Sequence, residues 1–389
     1  MKKTGRQDPQ TDATGGPLLA FLAHDVGYFL SHRLPVALAA REAGYRIAVI
    51  APGATRSAEL ADLGFEVHHL VFRRGSRNPV AELEAALALH GLLRRLRPDI
   101  CHAVALKLVL YAGVSCRLLG LRAVLALTGL GFVFTETSPG AWAIRRAVGA
   151  LLGFGARNRR ACVVLQNPDD ARLLRDEGIL RGGRYEIIRG AGVDTDAFTS
   201  VPAPPTPPVT VVLPARLLRH KGVMEFVDAA RLLSADAVAV RLRVAGSPDP
   251  ENPSAVDEAT IEAWQREGIV EFLGHRRDMA TVYRENHIVC LPSYREGLPK
   301  ALLEAAACGR PLIAADVPGC REVVRPGENG LLVPVRDAGA LADAIRALAD
   351  DPDRREQFGR ASREIAVRDF RVERIATETV ALYDALTAR

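Results

Sequence analysis

Val201-Pro-Ala-Pro-Pro-Thr-Pro-Pro-Val209 carries five prolines in nine residues. Proline fixes φ and has no N–H to donate, so this stretch can be neither helix nor central strand and reads as a stiff linker. On both sides of it, short apolar runs alternate with amphipathic stretches. Upstream, strands are predicted at Leu18–Ala23, Ile47–Ala51, Glu66–Val71, Ile100–Val104, Ala123–Leu127, Cys162–Gln166 and Glu186–Ile188, with helices at Ser31–Ala43, Val80–Leu96 and Pro168–Glu177. Downstream, strands are predicted at Val209–Leu213, Val240–Ala245, Val270–Leu273, Ile288–Leu291 and Pro311–Ala314. Helices there read at Lys221–Leu233, Ala255–Glu267, Pro299–Cys308 and Gly339–Ala349. Such alternation argues for parallel sheets covered on both faces. The expected fold is α/β, with two Rossmann-like doubly wound domains facing across a cleft. The expected limits are a flexible leader over 1–16, a first domain over 17–200, the linker over 201–208, a second domain over 209–370, and a helix over 371–389 that packs back on the first domain. Ligands of such sheets bind beyond the carboxyl ends of the strands, so the layout suggests a two-substrate cleft without naming its chemistry.

Composition narrows the class. A chain of 389 residues, 48% hydrophobic and 25% charged, has core enough for two or three domains and is not disordered, collagenous or a disulfide scaffold. The net charge of +5 is mild and no run of five like charges occurs, so nucleic acid is not an expected partner. Cys101, Cys116, Cys162, Cys290, Cys308 and Cys320 form no C-x-x-C pair, which fits free thiols in a reducing compartment and no zinc site. Met1–Gly16 carries no apolar segment of the signal-peptide kind, and the apolar run Ala123–Thr135 has 13 residues, short of the ~18 that cross a bilayer. A cytoplasmic location is expected, with room for peripheral contact with a membrane.

The richest stretch is Pro292-Ser-Tyr-Arg-Glu-Gly-Leu-Pro-Lys-Ala-Leu-Leu-Glu304. It follows an apolar strand, with Pro299 expected as the first helical residue. Glu296 falls in the loop and Glu304 on the second turn. Backbone N–H groups around Gly297, Leu298 and Lys300 make an anion seat backed by the helix dipole. A solvated loop glutamate is the alternative for Glu296. Pro214-Ala-Arg-Leu-Leu-Arg-His-Lys-Gly222 also follows a strand, and Arg216 and Lys221 stand there as cations able to clamp phosphate. A charged loop without ligand is the alternative. Two such turns in one domain point to a diphosphate ligand.

These residues resemble the family-4 retaining glycosyltransferases of the GT-B fold, over about residues 18 to 385. The likeness is to the capsule and lipopolysaccharide branch, in Tyr28-Phe-Leu-Ser-His-Arg-Leu-Pro35, Thr128-Gly-Leu-Gly-Phe-Val-Phe-Thr135, Leu291–Pro299, Asp316-Val-Pro-Gly-Cys-Arg-Glu322 and Gly327-Glu-Asn-Gly-Leu-Leu-Val-Pro334. The resemblance implies that Arg216 and Lys221 neutralise the diphosphate of a nucleotide-sugar donor and the charge that grows as it leaves. It implies that Glu304 accepts from the ribose hydroxyls and that Glu296 touches the sugar. Gly297, Leu298, Pro299 and Lys300 would surround sugar and phosphate, with Gly222 closing the clamp. Preorganised cations at a leaving group give large rate effects. With them in place no metal is required, and no Asp-x-Asp stands at a strand end.

The first domain is expected to hold the acceptor. Gly27 is predicted to end the first strand and let backbone approach the cleft, with a plain turn glycine as the alternative. Gly129 and Gly131 would shape the floor. Many relatives place a histidine where Thr128 stands here, so no catalytic nucleophile is named. His102, at the end of its strand, matches a family histidine and is expected near ligand. His24 and His32 are weaker candidates. His68 and His69 are read as ordinary strand residues, and His220 and His275 carry little expectation. The stretch Ala141–Arg160 mixes Trp142 with five arginines. It reads either as a packed helix with a basic end or, with Arg73, Arg74 and Arg77, as a basic face for an anionic membrane.

The reading is a retaining hexosyl- or N-acetylhexosaminyltransferase. It would move sugar from a nucleotide-diphosphate donor, uridine by resemblance, to a glycan or polyprenyl-diphosphate-linked acceptor in bacterial surface polysaccharide assembly. Alternatives are a nucleotide-sugar epimerase on the same fold and a non-catalytic nucleotide-sugar-binding partner of an assembly complex.

Overall fold

The computed structural model describes residues 15–53, 56–72, 78–130, 139–250 and 252–388. Gly131, Arg73, Arg74, Arg77 and most of the expected leader lie outside the described residues.

The first sheet is built from β1 (Leu18–Leu22), β2 (Arg46–Ala51), β3 (Glu66–His69), β4 (Ile100–Val104), β5 (Arg122–Ala126), β6 (Ala161–Leu165) and β7 (Arg184–Ile187). Its helices are α1 (Val26–His32), α2 (Leu34–Glu42), α3 (Ser57–Asp62), α4 (Pro79–Leu96), α5 (Leu106–Leu119), α6 (Pro139–Ala156) and α7 (Pro168–Asp176). The second sheet has β8 (Val209–Leu213), β9 (Val240–Ala245), β10 (Val270–Gly274), β11 (Ile288–Leu291), β12 (Leu312–Ala315) and β13 (Gly330–Val333). Around it lie α8 (Val223–Ala235), α9 (Glu258–Glu267), α10 (Met279–Arg284), α11 (Lys300–Ala307), α12 (Pro318–Val323), α13 (Ala338–Ala349) and α14 (Pro352–Asp369). The chain ends in α15 (Val372–Thr387).

Every pairing in both sheets is parallel, and β1, β4, β6 and β8 are buried along their whole length, as strands covered on both faces must be. The orders are β3-β2-β1-β4-β5-β6-β7 and β10-β9-β8-β11-β12-β13. Each reverses direction at one place, between β1 and β4 and between β8 and β11. At such a reversal adjacent connections leave to opposite faces and open a crevice at the strand ends. The α/β, doubly wound expectation is met.

Local differences have local causes. The single helix expected over Ser31–Ala43 is two, because Pro35 starts a second helix just past Arg33, whose backbone is not helical. Pro299 is not the first helical residue but the N-cap of α11, at φ −75 and ψ 110. The strand β13 was not predicted, since its start lies in a Gly-Glu-Asn-Gly turn. The helix α5 was not predicted either; its apolar residues on several faces hide a helical period. The helix α15 lies on α2 and adds Ile375, Leu382, Tyr383 and Leu386 to the apolar layer on one face of the first sheet.

Candidate active site

The crevices at the two reversals face each other. One cavity of about 410 Å³ is lined by His24 and Asp25 after β1, Ala105 and Lys107 after β4, and by Tyr28, His32, Phe72, Leu108, Thr128 and Arg216. A second, of about 400 Å³, shares Tyr28, His32, Thr128 and Arg216 and runs over the other domain along Pro214, Lys221, Glu296, Leu298, Pro299 and Lys300. The shared residues make one continuous cleft.

On the second domain, the chain leaves β8 through Arg216 and makes a tight turn at Arg219–Lys221 before α8. Gly222 follows with φ +74, and a Cβ there would stand 2.2 Å from the Pro292 carbonyl oxygen, so only glycine lets the turn lie against the next strand end. This close approach puts Lys221 Nζ 2.5 Å from Glu296 Oε1. Arg216 pairs with Asp249. The helix α11 begins at Lys300 with no side-chain cap, leaving its first N–H groups toward the cavity beside Pro299.

Glu304 is buried and does not line the cavity. The Tyr283 hydroxyl donates to its Oε2 at 3.1 Å, and Lys300 Nζ stands 3.5 Å from Oε1. Burial pushes its carboxyl above the usual carboxylate range, against the pull of Lys300 and Tyr283. Lys300 Nζ also donates to the Ser31 carbonyl of the first domain at 2.8 Å, so this lysine spans the cleft over Glu304.

Gly297 does not line the cavity. It is pressed between domains: a Cβ on it would meet the Thr128 carbonyl oxygen at 1.9 Å, and Asn167 Nδ2 donates to the Gly297 carbonyl at 3.0 Å. Gly129, at φ +143, packs its backbone against Gly297. Arg295 donates to the buried Asp170 carboxylate at 2.6 Å across the same seam.

Two expectations for the first domain are corrected. Gly27 does not end the strand; it sits in the first turn of α1, whose N-cap is Asp25, and it lines neither cavity. His102 does not face the main cleft. Its ring is fully buried, stacked on Phe21, with Nδ1 2.5 Å from the Tyr383 hydroxyl of α15. What does face the cleft is the ladder His24, Tyr28, His32, with ring centroids 4.4 Å apart at each step, the first pair tilted and the second stacked. Burial, then the Lys300 and Arg33 charges, hold the His32 imidazole down at about 3, so it is neutral at pH 7. Phe72, Lys107, Gln166 and Arg33 line the cleft without having been singled out. The fourfold spacing of His24, Tyr28 and His32 was the available signal for the ladder. His220 and His275 lie outside both cavities.

Among the described residues no three of His, Cys, Asp and Glu gather as metal ligands, and no helix is long and apolar enough to cross a membrane.

A family model described as glycosyl transferases group 1 matches residues 208–351, and one described as glycosyl transferase 4-like matches residues 19–159. Among curated relatives, the chain is 27% identical to the N,N'-diacetylbacillosaminyl-diphospho-undecaprenol alpha-1,3-N-acetylgalactosaminyltransferase of Campylobacter jejuni, over 94% of this chain and 98% of that one. It is 32% identical to the putative colanic acid biosynthesis glycosyltransferase WcaL of Escherichia coli, over 50% of each. Among solved structures, the fold matches sucrose-phosphate synthase of Thermosynechococcus elongatus with a TM-score of 0.78 at 21% identity, over 96% of this chain and 99% of that one. It matches HepE of Anabaena, solved with UDP, with a TM-score of 0.73 at 18% identity, over 95% of this chain and 100% of that one.

Proposed function

Because this chain belongs to the family-4-like, group 1 glycosyltransferases of the GT-B fold, we propose that its cleft moves a sugar from a nucleotide-diphosphate donor to a polyprenyl-diphosphate-linked glycan of a surface polysaccharide. The observation that carries this is the gathering of Arg216, Lys221 and the α11 N-terminus at one edge of a cavity that continues into the first domain. The undecaprenol-linked substrate in the name of the Campylobacter relative supports the acceptor class, and its transferred N-acetylhexosamine supports that kind of sugar. The UDP held by HepE supports uridine as the base.

In this reading the diphosphate lies on the α11 N-terminus, drawing Lys221 from Glu296 and leaving that carboxylate for the sugar hydroxyls. The nucleoside displaces Lys300 from Glu304, whose carboxylate then accepts from the ribose. The bond from the anomeric carbon to the diphosphate oxygen breaks, and the acceptor oxygen bonds the same face of that carbon. Attack on the face that the diphosphate leaves retains configuration, and the acceptor proton passes to the departing diphosphate. Lys221 and Arg216 stabilise the growing charge in place of a metal.

A lipid-linked acceptor has to be met at a membrane. The surface of α4 exposes Val80, Leu83 and Leu87, and that of α6 exposes Trp142, Ile144 and Leu151, with Arg146 over the Trp142 ring. These two helices flank α5 on one face of the first domain, a surface suited to peripheral binding.

Calorimetric titration with UDP in the presence of a chelator tests the donor seat. Wild type should bind, and Lys221→Ala should bind about tenfold or more weakly, as expected for a lost charge-assisted contact. Binding that needs a divalent cation, or that Lys221→Ala leaves intact, would contradict the proposal.

A further inference from the structure

We propose that Arg33 is a further phosphate-binding residue of this cleft, presented by the first domain opposite Arg216 and Lys221; the inference rests on the transferase reading above. Arg33 occupies the junction between α1 and α2 and is only 5% exposed. Its Nε is sealed from solvent and makes no hydrogen bond, while its side chain lines the 400 Å³ cavity. Among the described residues no carboxylate pairs with it. The other cations of that cavity are all engaged: Arg216 with Asp249, Lys221 with Glu296, and Lys300 with Glu304 and the Ser31 carbonyl.

Nothing behind Arg33 neutralises it either. Arg33 also lines a small pocket of about 10 Å³ together with His102, Gln166, Gly190 and Thr379. His102 Nε2 is also buried and unpartnered, and burial together with the Arg33 charge keeps that imidazole neutral. A pocket of this size is about that of one water, which could accept from both groups but brings no charge. Burying a guanidinium without an anion is costly, and the fold maintains this one at the wall of an open cleft. The complement is a ligand with at least one negative charge and acceptor oxygens spaced for a planar fork, which a phosphate provides. A diphosphate reaches this wall from two sources, the nucleotide donor or the polyprenyl-diphosphate acceptor.

The test titrates wild type, Arg33→Gln and Arg33→Lys with UDP, with inorganic diphosphate, and with farnesyl diphosphate in the presence of saturating UDP, beside thermal melts without ligand. Arg33→Gln should weaken diphosphate binding about tenfold or more, with Arg33→Lys between it and wild type. Its ligand-free melting temperature should hold or rise, because an unpaired buried charge has gone. Loss confined to UDP and inorganic diphosphate identifies the donor as the source, and loss confined to farnesyl diphosphate identifies the acceptor. Unchanged affinities in Arg33→Gln, with wild type binding, would overturn this inference alone. So would a lowered melting temperature with unchanged affinities, which marks a structural arginine. Failure of wild type to bind any diphosphate would overturn the transferase reading and this inference with it.

Discussion

Glu304 places a carboxyl group in a buried site that offers it one hydroxyl and one lysine. Its folded-state pKa is raised, so the native protein holds a proton there more tightly than the unfolded chain does. The stability contributed is therefore complete below the unfolded carboxyl value and is lost as pH rises through the folded one. Glu304→Gln should gain melting temperature over wild type between pH 5 and 8, and should bind UDP about tenfold more weakly. A melting difference that does not change with pH would contradict the assignment. The two ends of this site were legible in sequence for a physical reason. Pro292–Glu304 and Arg216–Gly222 each abut an apolar strand and carry a glycine or proline that only a special backbone turn requires. Arg33 was not legible. Its meaning depends on what fails to stand beside it, and no local pattern records a missing counter-charge.

At the scale of elements, α15 acts as a clasp. Tyr383 reaches His102, the Tyr45 hydroxyl donates to Asp384 at 2.8 Å, and Arg122 Nε donates to the Leu386 carbonyl at 2.7 Å. With the Tyr383 hydroxyl donating to Nδ1, His102 carries its proton on the buried, unpartnered Nε2. Tyr383→Phe removes that donor and leaves a buried acceptor unsatisfied. It should destabilise the protein by about 1–3 kcal/mol in denaturant unfolding, with little change in the denaturant slope. A loss well under half a kcal/mol would mean that a water replaces the hydroxyl, and that the contact does not fix the ring. The family likeness had placed His102 near ligand. The strand was read correctly, but the partner that captures its ring lies 281 residues away, beyond the reach of any local period. The break between α1 and α2 is local instead: Pro35 was visible, yet the amphipathic pattern ran straight across it.

At the scale of the molecule, both sheets reverse at the strands that deliver the cleft residues, and the seam leaves no room for a side chain at Gly297, whose Cβ would meet the Thr128 carbonyl. The doubled α/β layout was legible because a Pro-rich break separates two runs of the same alternation. That their strand ends face each other across a cleft was expected from the same layout; the contacts that hold the seam, such as Arg295 with Asp170 and Lys300 with Ser31, were not legible, because they join residues far apart in the chain. The central claim is that this shared cleft joins a donor sugar to a lipid-linked acceptor. The most direct measurement incubates the protein with radiolabelled UDP-N-acetylhexosamine and a polyprenyl-diphosphate-linked sugar, then follows label into the lipid fraction. The account predicts label in the lipid, one UDP released per sugar transferred, and about a hundredfold or greater loss of rate in Lys221→Ala. Release of UDP with no label in the lipid, or transfer undiminished in Lys221→Ala, would contradict it.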